Sequence, residues 1–275
     1  MRPLHPSFAC LPLAALALLL LGATEDAVPE PPDGRSGRDI YSCVLENRFS
    51  AYVQEAKLVS GDRGDSAQES RLSMTWKSFR DEQDQPRAGV LSKTLVRYEH
   101  PFDLRFSGYL VINNAERAND QFVYLAATRK IRRVNLRKEA VFGTDFTFED
   151  IVPAEIEDGD YQRLSDALIE SRSVYVVEVT PKPHADSEYS RFVVYVDKGS
   201  CVPVRTRYWD EKQVEVKELT VPFDAVQEFE GIHWPMQLTM RNLKLDSYTT
   251  LSVERLEPNP PLPDKSFEVR RLMSH

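Results

Sequence analysis

From Leu72 onward the chain alternates apolar and polar residues with a period of two, and this restricts most of it to β-strands. Leu72, Met74 and Trp76 alternate with Ser73, Thr75 and Lys77. Similar runs lie at 91–98, 109–112, 121–125, 131–136, 174–179, 191–196, 202–208, 214–219, 236–240 and 248–256, giving about eleven strands. β-Branched and aromatic residues fill them, as a pleated, half-buried surface favours. Turn residues punctuate them at Asn113-Asn114, Asp197-Lys198-Gly199 and Asp210-Glu211-Lys212, and the last two predict hairpins. Helical spacing is scarce. It marks 38–49 through Ile40, Val44, Leu45 and Phe49, a short piece at 161–169, and 264–272 after the Pro-rich 258–263. A mainly β, antiparallel sheet with so little helix to cover it is expected to curl on itself.

The first residues have the order of an export signal. Arg2 is followed by an uncharged apolar run over 11–21 and by the small residues Gly22 and Ala23. A membrane-spanning helix needs roughly 20 apolar residues, more than this run supplies. Residues 1–23 are therefore expected to be a cleaved signal peptide, with the mature protein in the periplasm. Cys10 precedes the apolar run, so the chain lacks the following Cys that a lipid anchor requires. Residues 24–38 are acidic, Pro-containing and too polar to fold alone, which predicts a linker ahead of a single domain over 39–275.

The net charge of -8 becomes -9 once the signal and its one Arg are gone. Such a surface repels phosphate backbones, so nucleic acid is an unsuitable partner. Cys43 and Cys201 remain in the mature chain. In an oxidising compartment they are expected to pair, the alternative being two separate buried thiols.

Catalytic patterns are absent or out of place. Gly64-Asp65-Ser66 resembles the start of an esterase nucleophile block, but it sits in a polar stretch between strands without a matching Asp and His. His100, His184, His233 and His275 share no metal-ligand spacing. The acidic residues Asp145, Glu149, Asp150, Glu155, Glu157, Asp158 and Asp160 match no calcium loop and read as a solvated loop. No enzymatic activity and no cofactor are expected.

Two surfaces remain. Arg129, Lys130, Arg132, Arg133, Arg137 and Lys138 form the one basic concentration. It suits docking to an anionic headgroup or an acidic partner, or is simply the charged solvent face of a strand. The strands also offer Leu72, Met74, Trp76, Tyr109, Phe122, Tyr124, Phe192, Trp234 and Met236 as candidate walls of an apolar cavity, or else as ordinary core.

The stretch from Gln121 to Val134, Gln-Phe-Val-Tyr-Leu-Ala-Ala-Thr-Arg-Lys-Ile-Arg-Arg-Val, is followed by Val-Phe-Gly-Thr-Asp-Phe-Thr-Phe-Glu-Asp-Ile from Val141 to Ile151. The two blocks resemble the outer-membrane lipoprotein-sorting, LolA-like family of periplasmic proteins. Gly143, Thr144, Asp145, Phe146, Glu149 and Asp150 carry its signature, and Pro101, Gly108 and Val202-Pro203-Val204-Arg205 also fit. The family often has Pro where Ala126 or Ala127 stands here. The resemblance covers roughly 71–256. It implies a half-open β-barrel with helices as a lid over an apolar cavity, and binding of the acyl chains of lipid or of a lipidated protein. Some relatives are tied to inner-membrane exporters of the resistance-nodulation-division type, which makes such an exporter an expected partner. Gly143 is suited to a left-handed turn, and Asp145 to bonding its own backbone there.

A non-enzymatic carrier of lipid or lipoprotein acyl chains is the first expectation. A sensor or interaction module on the same fold is the second, separable by a partner surface that changes with ligand. An envelope lipid hydrolase is the third, and would require ester cleavage lost on Ser66→Ala.

Overall fold

The computed structural model describes residues 33–64, 66–135 and 138–273. The expected signal, most of the linker, Asp65 and Arg137 lie outside the described residues. Fifteen strands occur in chain order: β1 (Ala51–Gly61), β2 (Ala67–Ser78), β3 (Val90–His100), β4 (Gly108–Asn114), β5 (Asp120–Leu125), β6 (Lys130–Val134), β7 (Gly159–Ile169), β8 (Arg172–Pro181), β9 (Arg191–Asp197), β10 (Pro203–Trp209), β11 (Glu215–Thr220), β12 (Val226–Phe229), β13 (Ile232–Pro235), β14 (Gln237–Asn242) and β15 (Ser247–Pro258). Thirteen form one antiparallel sheet in the order β6-β5-β4-β3-β2-β1-β15-β14-β11-β10-β9-β8-β7, and β12 and β13 form a separate hairpin. The sheet is not closed, so the architecture is a half-open barrel whose free edges are β6 and β7.

All eleven alternating runs are strands. Sequence patterning misses β1, β7, β12 and β13. The short helical piece expected at 161–169 is instead β7, an edge strand with an irregularity between Leu164 and Ala167. An edge strand buries only part of each face, so its alternation is weak and Tyr161, Leu164 and Leu168 imitate helical spacing. The N-terminal helix α1 spans Gly37–Glu46, starting two residues before the predicted domain boundary at Asp39. Ser36 caps it, accepting from the Asp39 amide while the Asp39 carboxylate accepts from the Ser36 amide. The 264–272 stretch forms two short 3₁₀ turns, Asp264–Phe267 and Val269–Met273.

Register assigns every side chain to a face. Tyr98, Leu72, Ala56 and Val253 lie opposite one another across β3, β2, β1 and β15. Ser60, Thr249, Met240 and Leu219 continue the same face through β1, β15, β14 and β11. Lys217, Tyr208, Phe192 and Val179 carry it across β10 and β9 to β8. This inner face holds two core clusters. One centres on Leu72, Val96, Tyr98, Tyr109 and Phe148, the other on Ile40, Tyr41, Val177 and Val194. A third cluster, with Phe79, Leu95, Leu110 and Tyr124, lies on the outer face under Phe267 and Leu272 of the C-terminal turns.

Candidate functional site

Because β6 and β7 are opposite edges of the sheet, the chain between them must travel from one edge to the other. It does so over the inner face and carries the signature block with it. Val141 and Phe146 close a tight turn through the Val141 amide and the Phe146 carbonyl (2.8 Å). Gly143 takes a φ of 77°, the left-handed conformation that glycine tolerates best. A one-turn helix, α2 (Phe148–Ile151), follows, with Thr147 and Asp150 forming its capping box. Val141 and Phe148 are buried in the inner cluster, with Phe142, Ile151 and Val152 packed against it. Phe148 meets the Tyr109 ring edge-on at 5.2 Å, and Phe142 lies 4.8 Å from Tyr98. Residues 139–152 are thus a plug in the half-barrel.

Polar contacts fix the plug to the opposite arm. Asp145 does not bond its own backbone, as a turn residue would. Its carboxylate accepts from the hydroxyls of Ser247 and Thr249 on β15, and its amide donates to Thr249 Oγ1 (3.0 Å). Asp150 accepts from Lys217 Nζ of β11 (2.9 Å), from Tyr189 Oη (2.8 Å) and from the Thr147 amide (2.7 Å). The Asp150 and Lys217 side chains are 2% and 8% exposed, so this is a buried ion pair. Burial and the Asp150 charge push the Tyr189 phenol far above its ordinary range, which keeps it a proton donor to that carboxylate. Glu149 accepts from the Glu188 amide (2.9 Å). Asp145 and Asp150 are therefore buried and paired, not part of a solvated loop. Sequence reading missed Lys217, Tyr189 and Thr249. Lys217 leaves one trace, a charge two residues from Leu219 on the same strand face.

Helix α1 covers the other end of the inner face. Ile40 and Tyr41 pack among Tyr175, Val177, Val179, Val194 and Val196. Cys43 and Cys201 are joined by a disulfide with Cα atoms 5.7 Å apart, which ties α1 to the turn between β9 and β10.

The proposed cavity walls separate into groups. Leu72, Met74, Trp76 and Tyr109 lie on the inner face of β2 and β4, and Phe192 lies on the same face of β9. Phe122 and Tyr124 point outward, because Phe122 opposes Leu110 of the outer cluster, so neither can line an inner cavity. Trp234 stands on the β12–β13 hairpin and joins an aromatic rim, 4.8 Å from Tyr52 and 5.1 Å from Phe49. Tyr52 in turn stacks on Trp76 at 5.7 Å. Met236 falls between β13 and β14 and is half-buried. On the inner face of β1–β3, Gln54 Oε1, Trp76 Nε1, Ser92 Oγ and Tyr98 Oη are buried without a hydrogen-bond partner.

The basic run is edge strand β6 and its turn. Arg129, Lys130, Arg132 and Arg133 are all exposed, and Arg133 pairs with Asp120. Asp120 also holds Arg117, and these partners, led by Arg117, lower its carboxyl from 3.8 to about 2.

Residues 91–274 match the model of a family described as uncharacterized-protein-like. No curated protein matches by sequence. Among solved structures, the chain is similar to a domain from Vibrio parahaemolyticus described as an outer membrane lipoprotein-sorting protein domain. The two share 20% identity at a TM-score of 0.77, over 86% of this chain and 98% of that one. A DUF1329 family protein from Desulfovibrio piger shares 24% identity at a TM-score of 0.79, over 86% and 97%. A LolA superfamily protein from Nitrosomonas europaea shares 17% identity at a TM-score of 0.65, over 85% and 98%. With more than half of its length matched by the family model, the chain belongs to the family that this model defines, and its half-open barrel is the fold of these solved structures.

Proposed function

We propose that the mature chain is an exported, periplasmic carrier that holds the acyl chains of lipid or of lipid-modified protein on the inner face of the half-barrel, without chemistry. One observation carries the reading. An apolar face runs through both arms of the sheet, yet its cover is a crossing segment and one helix, with the crossing segment held by a few polar contacts. A cargo chain would take the place of the plug against Leu72, Met74 and Tyr109. Trp76 and the rim around Trp234 would flank its entry. The unpartnered polar atoms of Gln54, Trp76, Ser92 and Tyr98 suit a cargo that carries ester or amide groups beside its hydrocarbon. The exposed edge strand β6, with Arg129, Lys130, Arg132 and Arg133, is the docking surface in this reading. An acidic face of an inner-membrane exporter is one partner that fits it.

The test is mass spectrometry of organic extracts of the purified mature protein, together with uptake of a fluorescent fatty acid. Bound lipid, and uptake that Trp76→Asp weakens while β content is retained, are expected. Protein that neither carries lipid nor takes up the probe would overturn the reading.

A further inference from the structure

A groove lies away from the inner face, where β1 begins and β2 ends. It has a volume of about 720 Å³, a floor that includes Lys77, Arg80 and Arg87, and a wall formed by 260–263, Pro-Pro-Leu-Pro. Proline has no amide proton to donate, so of this wall only Leu262 could offer an anion a backbone donor, and the floor cations are the main donors.

The charge arrangement around it is unbalanced. Lys77 and Lys93 stand directly opposite each other on β2 and β3, a cross-strand pairing in which like charges repel. Arg87 joins them, and all three cations share the Phe79 ring, at 5.7, 4.4 and 5.1 Å for Lys77, Lys93 and Arg87. Among the described residues Asp264 is the one carboxylate within ion-pair distance of the group; Glu268, whose charge also acts on Lys93, is engaged by Arg270. Asp264 lies 2.8 Å from Lys77 and 3.6 Å from Arg87. Arg80 is already neutralised by Glu155 and Asp84. Within ion-pair distance, three cations thus face one carboxylate. A phosphate monoester carries about -1.5 to -2 at pH 7 and offers three acceptor oxygens, one for each of the three cations. Burial, with the neighbouring Arg87 charge, holds the Lys93 ammonium below its ordinary range despite the carboxylates of Asp264 and Glu268.

We propose that this rim groove binds a phosphate monoester group, with Arg87 and Lys77 of its lining and Lys93, beside them on the Phe79 ring, as its donors and Asp264 as the internal carboxylate that competes with it. The group can belong to a soluble phosphomonoester or to a lipid headgroup such as phosphatidic acid, and the shared chemistry is the same.

The experiment titrates the mature protein with glycerol 3-phosphate by calorimetry and, separately, measures co-sedimentation with phosphatidylcholine vesicles with and without phosphatidic acid. Saturable binding is expected. Arg87→Gln and Lys93→Gln should each weaken it about tenfold, the effect of losing one charge-assisted contact. Asp264→Asn should tighten it by removing the competitor. Thermal unfolding of each variant separates loss of the site from loss of the fold. Co-sedimentation only with phosphatidic acid assigns the group to a lipid, and binding of glycerol 3-phosphate without vesicle capture assigns it to a soluble compound. Either result supports the site. No saturable binding of glycerol 3-phosphate or phosphatidic acid, or binding that well-folded Arg87→Gln and Lys93→Gln leave unchanged, overturns it.

Discussion

Lys217→Met tests how the plug is held. The ammonium sits 2.9 Å from Asp150 and 2.9 Å from Tyr189 Oη, with Lys217 and Asp150 almost wholly out of water. Methionine matches the lysine stem in shape, so little packing is lost. What changes is that the Asp150 charge stays buried with only the Thr147 and Tyr189 donors. Breaking a buried pair in this way costs about 3–5 kcal/mol. Asp150→Asn on top of Lys217→Met removes the orphaned charge and should recover at least about 2 kcal/mol, giving strong coupling in the double-mutant cycle. Urea unfolding measures both values. Hydrogen exchange over 139–152 should rise in the single variant before global unfolding, because the plug loses its anchor on β11 while the sheet keeps its ladder. A loss below about 1 kcal/mol, or additive single-variant effects, would refute the view that this pair anchors the plug.

Three further outcomes follow from the fold. Replacing Cys43 and Cys201 by Ser opens a link between residues 158 apart and should lower stability by about 2–4 kcal/mol, seen as a lower thermal midpoint without loss of β content. Gly108→Ala should cost about 1–3 kcal/mol in urea unfolding, since the added Cβ would sit 2.2 Å from the Val96 carbonyl oxygen of β3. Asp120 gives a pH signature. Its carboxyl is lowered from 3.8 to about 2, so its contribution is complete above pH 4 and is lost as pH falls from about 4 to 2. Exposed guanidinium partners limit the effect to on the order of 1 kcal/mol, and Asp120→Asn should flatten that part of the stability profile.

The central strands were legible because each buries one face, which writes period-two alternation directly into residues such as Leu72, Met74 and Trp76. The face itself was not legible. Phe122 and Tyr124 have the same aromatic character as Tyr109, and only the pairing of Phe122 with Leu110 places them outside. β1 hid because Gln54 stands among its inward residues and breaks the alternation. The signature block was visible as a block, but its role was not. Asp145 and Asp150 read as solvated acids because their partners, Thr249 and Lys217, are distant in sequence and lie on strands whose neighbours only the topology supplies.

That topology also explains why the barrel is filled by a crossing segment. With β6 and β7 at opposite edges, residues 138–158 have to span the inner face, and their apolar side chains bury themselves where a ligand would lie. In the proposed carrier, the exchange of plug for cargo would be close to balanced. Withdrawing Val141, Phe142, Phe148, Ile151 and Val152 gives up on the order of 10 kcal/mol of burial. A chain of about sixteen carbons, at about 0.8 kcal/mol per CH₂, returns a similar amount. With the apolar terms near cancellation, the polar tethers decide the direction. The Asp150–Lys217 pair and the Asp145 contacts to β15 favour the closed form, so a cargo that enters must also weaken them. If the chain is the carrier proposed above, it would hold its cargo less tightly than its apolar area suggests, and the same tethers that oppose loading would assist release.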